Sequence, residues 1–141
     1  MNSDTARARE ILQSGGYTCV LCKGEKNYHS NDKGVKPLIG FLESGNSFYG
    51  FSAADKTIGA GAAYLYVLLG VKDVWTGLLS VKAKKILAEN GISVSFETLV
   101  PEILNRSWDG ICPIEKAVKG ADSPENALSI IREAISKLRK A

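Results

Sequence analysis

Val71 to Val100, VKDVWTGLLSVKAKKILAENGISVSFETLV, is the stretch on which the fold turns. From Val74 onward, Val71 to Leu79 is nearly continuous in apolar character, which is how a strand buried on both faces reads. Ser80 is a side-chain cap for a helix whose Val81, Ala83, Ile86 and Leu87 face inward, and Asn90-Gly91 supplies a left-handed stop. Ile92, Val94 and Phe96 then alternate with Ser93, Ser95 and Glu97, a strand with one dry and one wet face. Strand, helix and strand in so short a span form a right-handed βαβ crossover. The sheet therefore contains parallel strands, and the class is α/β.

Upstream lies the most apolar helix, from about Lys56 to Leu69, with Asp55 before it as cap. Its first turns hold Gly59, Ala60, Gly61, Ala62 and Ala63. Helical glycine is unfavourable by nearly 1 kcal/mol relative to alanine, so two in one turn need a packing or ligand reason, close helix-on-sheet packing being the plainer. Phe48 to Ala53 reads as a strand interrupted by Gly50. Gly34 to Pro37 opens a short helix with Leu38, Ile39, Phe41 and Leu42 as its buried stripe and Gly45 at its end. Tyr17 to Lys23 and Tyr28 to Ser30 flank the turn Gly24 to Asn27 as an antiparallel hairpin. Ser3 caps a first helix that stops at Gly15-Gly16.

Downstream, Pro101 to Ile111 is irregular and polar, and Pro113 starts a short helical turn. Ser123-Pro124 opens the last helix, with Leu128, Ile131, Ile135 and Leu138 on one face and Glu133 and Lys137 as an i,i+4 pair. No repeat or linker interrupts the chain, so we expect one domain, residues 1–141, built as a three-layer α-β-α fold with a mixed sheet.

With 141 residues, 45% of them hydrophobic, the chain buries roughly two-thirds of its unfolded surface, enough for a core without metal or disulfide support. Lysine and arginine number 18 against 15 acidic residues. That mild excess is scattered, whereas a nucleic-acid module carries a dense basic patch, so a nucleic-acid partner is not expected. The longest uncharged run, Thr57 to Val71, falls short of the ~18 to 20 residues that span a bilayer, so no membrane partner is expected either. An odd number of cysteines without a secretory signal points to reduced thiols and a cytoplasmic location.

Cys19 and Cys22 have the spacing of a metal or redox pair. On a strand, however, residues three apart point to opposite faces, so they read as two core thiols and no metal site is expected. His29, the single histidine, reads as solvated or structurally bonded. Asp55-Lys56 is a sharper signal. Asp55 caps a helix well, but Lys56 at the positive end of a dipole is unhelpful unless an anion joins it. The densest candidate stretch is Asn105 to Glu115, NRSWDGICPIE. Cys112 precedes a helical turn whose dipole, together with Arg106, would raise its thiolate fraction, and Glu115 faces the same way one turn on.

From Asp55 to about Val118 the chain resembles a small family of uncharacterised prokaryotic domains with a cytidine-deaminase-like fold. Asp55-Lys56, Gly59, Ala62-Ala63, Ser80, Leu99-Val100-Pro101, Asn105-Arg106 and Cys112-Pro113-Ile114-Glu115 carry the resemblance. Deaminases begin one core helix with His/Cys-x-Glu and the next with Pro-Cys-x-x-Cys, which supply the zinc ligands and the proton-carrying glutamate. The corresponding starts here read Asp55-Lys56-Thr57-Ile58 and Ser80-Val81-Lys82-Ala83, without a ligand at either place.

The expectation is therefore a site without metal or cofactor for an anionic or nucleotide-like small molecule at the carboxyl ends of the parallel strands. Asp55, Lys56, Ser80, Asn105 and Arg106 would bind it. An enzymatic version is a thiol-dependent transfer with Cys112 as nucleophile and Glu115 as proton carrier. The alternative is a non-catalytic regulatory or oligomerising domain, and by analogy with deaminase-like domains a homo-oligomer.

Overall fold

In the computed structural model, which describes residues 1–104 and 110–140 (the side chains of 138–140 excepted), one five-stranded sheet organises the chain. Its strands are β1 (Cys19–Lys23), β2 (Lys26–Ser30), β3 (Ser52–Ile58), β4 (Asp73–Ser80) and β5 (Ser93–Val100), in the order β2-β1-β3-β4-β5. β1 pairs antiparallel with both β2 and β3, while β3, β4 and β5 run parallel, so the sheet is mixed as expected. Among the described residues six α-helices accompany it: α1 (Ser3–Gly15), α2 (Lys36–Glu43), α3 (Ala60–Leu69), α4 (Val81–Glu89), α5 (Pro113–Ala117) and α6 (Pro124–Lys140). None of the described helices is long and apolar enough to cross a membrane.

The two faces of the sheet are covered unequally. On one, α1 alone packs Ala8 and Leu12 on Val20, Cys22, Ala54 and Trp75. On the other, α3 is enclosed by the sheet and by α2, α4 and α6, with Ala60 to Tyr66 all buried. That enclosure is why α3 is apolar all round. Cys19 lies in this second core and Cys22 in the first, so the cysteine pair straddles the sheet as strand geometry requires. Ser80 caps α4 by accepting a bond from the Ala83 N–H at 3.1 Å.

The structure moves three boundaries. Asn2, not Ser3, caps α1, its Oδ1 accepting from the Thr5 N–H at 2.7 Å. Phe48 and Phe51 are core residues of a loop rather than strand residues, packed edge-on with Phe41 and Tyr28 around Gly50, whose φ of +78° a strand would not allow. Their aromatic content resembles a strand because aromatics suit any half-buried surface. Most consequential, Asp55-Lys56 is not a helix start. β3 continues through both residues to Ile58, and α3 begins only at Ala60.

A polar clamp sits at the opposite end of the parallel strands from the helix starts. Asp73 Oδ2 accepts from the Asn2 N–H at 3.1 Å and the Thr5 hydroxyl at 2.5 Å, and the Asn2 amide donates to Ser52 Oγ at 3.0 Å. The first turn of α1 is thereby fastened to β3 and β4.

Candidate functional site

The carboxyl ends of β3 and β4, where α3 and α4 begin, carry two adjoining clefts. One, of about 260 Å³, is lined by Thr18, Lys33, Asp55, Lys56, Cys112 and Glu115 among others. Its neighbour, of about 330 Å³, is lined by Ala60, Ser80, Lys82, Glu102, Glu115 and Lys119 among others. Glu115 belongs to both walls. A larger cleft of about 580 Å³ between α2 and α6 is edged by the exposed Asp32, Lys36, Glu43 and Arg132, and none of the buried titratable groups reaches it.

Asp55 is the buried group of the first cleft, 7% exposed. Strand alternation places it beside Cys19, its cross-strand partner on β1, and under Tyr66 of α3. Tyr66 donates its hydroxyl to Asp55 Oδ2 at 2.7 Å, and Oδ1 accepts from the Thr57 N–H at 3.3 Å. Cys19 Sγ lies 3.3 Å from the Tyr66 oxygen. When Asp55 is ionised, the single Tyr66 proton goes to it and Cys19 is the donor of that contact. Burial pushes the Asp55 carboxyl up to about 7, against the pull of the Tyr66 hydroxyl and the nearby backbone N–H groups. Burial and the adjacent Asp55 also raise Cys19 and Tyr66, which stay neutral.

Glu115 caps α3 from a distant part of the chain. Its Oε1 accepts from the Ala60 N–H at 2.6 Å and its Oε2 from the Gly61 N–H at 2.9 Å. This carboxylate occupies the positive end of the helix, and it accounts for the glycines. A Cβ on Gly59 would overlap Glu115 Oε1, and one on Gly61 would stand 2.9 Å from Ile114 Cγ2. Gly59 has an ordinary φ of −98°, so glycine stands there for room. The expected helix-on-sheet packing is in fact packing against α5. Burial raises the Glu115 carboxyl, the two N–H bonds oppose that rise, and Glu102 adds to it.

Among the expected site residues, Asp55, Lys56, Cys112 and Glu115 meet at one cleft. Ser80 does not join them. It lies across Glu115 in the second cleft, buried, with its hydroxyl engaged as a cap. Lys56 is exposed and also edges a shallow cleft formed with Leu12, Gln13, Trp75 and Gly77. Cys112 is half-buried at the start of a five-residue helix, too short to carry much of the dipole expected for it. Asn105 and Arg106 lie outside the described residues. No group of three or more metal-ligating side chains converges among the described residues.

Sequence reasoning missed Tyr66 and gave Cys19 only a packing role. Tyr66 left a signal: a phenol inside a wholly apolar helix must find a partner for its hydroxyl. Lys33 and Thr18 left none, since only the fold brings them to Asp55.

Comparison with known proteins bears on the whole chain. A family model described as TM1506: Domain of unknown function (DUF1893) matches residues 7–135. The crystal structure of a DUF1893 family protein from Thermotoga maritima is similar at 27% identity and a TM-score of 0.84, covering 97% of this chain and 92% of that one. The apo dCMP deaminase of the cyanophage S-TIM5 gives 14% identity and a TM-score of 0.47, over 67% of this chain and 94% of that one. RibD of Acinetobacter baumannii gives 16% and 0.45, over 94% and 38%. No curated protein matches.

Proposed function

We propose that this chain, which belongs to the family described as DUF1893, a domain of unknown function, binds a small nucleoside- or nucleotide-like molecule in the cleft over Asp55. The observation that carries the reading is a carboxyl buried at a cleft and able to exchange its proton near neutral pH. Such a group is the usual mark of a binding or acid–base site. An amino or ring N–H of a heterocycle supplies the donor that an ionised Asp55 accepts. The start of α3 already holds the Glu115 carboxylate. An anionic portion of the ligand therefore falls to the exposed Lys33 and Lys56 at the rim. Asp55 is then the proton carrier, with the half-buried Cys112 beside it on the wall.

An NMR binding screen of nucleobases, nucleosides and nucleotides tests this. Binding should perturb Thr18, Lys56 and Cys112, and Asp55→Asn should weaken it tenfold or more. Perturbations confined to the cleft between α2 and α6, or affinity indifferent to Asp55→Asn, would remove the reading.

A further inference from the structure

Cys19 and Tyr66 stand behind the candidate site and line neither of its two clefts, yet they form a continuous line of polar atoms that ends on Asp55. A purely apolar wall would serve packing equally well at these fully buried positions. With Asp55 ionised, the order of donors is set. Cys19 gives its S–H to the Tyr66 oxygen, and Tyr66 gives its O–H to Asp55 Oδ2. Oδ1 receives one longer bond, from the Thr57 N–H at 3.3 Å.

We infer that Tyr66, oriented by Cys19, is a positioning residue for Asp55: it pins one carboxyl oxygen from behind and leaves the other to meet a ligand in the cleft. This rests on the reading of the cleft given above and adds to it the means by which Asp55 is aimed and kept chargeable. A carboxylate under a hydrophobic helix without that donor would hold its proton well above neutrality, because burial disfavours the charge and nothing would answer it. The remaining titratable and charged groups around Asp55 are Lys56 on its own strand and, lining the same cleft, Lys33, Cys112 and Glu115. Among the described residues none of their side chains hydrogen-bonds its carboxyl.

The test is a carbon-13 NMR titration of the Asp55 carboxyl in the full chain, free of ligand. In Tyr66→Phe the midpoint should rise by about one to two pH units, ten- to hundredfold in proton affinity. An unchanged midpoint overturns the inference. If Tyr66→Phe fails to fold, the Cys19 pair decides: Cys19→Ala should raise the midpoint and Cys19→Ser, which keeps a donor, should hold it near wild type. Equal midpoints in those two variants overturn the inference as well. The titration needs no ligand, so it separates the two ideas. A shifted midpoint without heterocycle binding would sink the reading of the cleft and leave the positioning role, and binding with an unshifted midpoint would do the reverse.

Discussion

Asp73 and Asp55 are both buried carboxylates, 5% and 7% exposed, on neighbouring parallel strands. Asp73 faces the first turn of α1, where a backbone N–H and a hydroxyl both reach one of its oxygens. Asp55 faces α3, where the Tyr66 phenol reaches Oδ2 while the Thr57 N–H reaches Oδ1, and the residue also lines a cleft. The first is a clamp whose donors come from within the fold. The second opens onto a cleft where parallel strands end and helices start, the position at which open α/β sheets hold ligands. Neither burial nor the number of bonds accepted separates structure from chemistry here, since each carboxylate accepts two; the opening of Asp55 onto a cleft does.

The contrast breaks most visibly with pH. The folded chain keeps the Asp55 proton up to about pH 7, whereas the unfolded chain releases it near the ordinary carboxyl value of 3.8. Between those values the unfolded state binds fewer protons, so stability falls as pH rises through the window and is level above it. The contribution from Asp55 is about 4 kcal/mol. Chemical denaturation from pH 4 to 8 should show wild type losing that much relative to Asp55→Asn, and parallel curves would contradict it. Next in size, Asp73→Ala should cost about 2 kcal/mol by stranding the Asn2 N–H and leaving the Thr5 hydroxyl only Asn2 Oδ1, at 2.9 Å, as acceptor. The Asp55 titration should not move in that variant, which is what a clamp remote from the site requires. Smallest, Gly59→Ala should cost about 1 to 2 kcal/mol by displacing Glu115. In a Glu115→Ala background the cost should shrink to what the Ile103 Cγ1 contact at 2.9 Å imposes, and an undiminished cost there would mean Glu115 is not what the glycine makes room for.

The parallel half of the fold was legible because its rules are local. Apolar runs, the Ser80 cap and the Gly91 stop place β4 and α4 within two residues of where they lie, and β5 within three. The site was legible only in part. Asp55 before a glycine- and alanine-rich helix satisfies the local rule for a cap, so the reading ended the strand too early. The true cap comes from Glu115, 54 to 55 positions away, and no local pattern encodes that distance. Gly59 and Gly61 did announce a close neighbour, but not which one. Tyr66 was readable as a phenol needing a partner, and its partners became visible only when β1 and β3 were brought into register.

The Glu115 bond to Ala60 and Gly61 also orders events during synthesis. The five strands, α3 and α4 all precede Pro101 in the chain, whereas α5 follows it. As the protein emerges from the ribosome, the sheet and α3 can assemble while the start of α3 is still bare, because domains gather from the N-terminal side at the pace of translation. Closing so long a loop is among the slower steps of folding. The wall between the two clefts is therefore built after the sheet, together with α6, which also follows it and covers α3, and a nascent chain halted before Pro113 lacks both the finished cleft and the α6 side of its core.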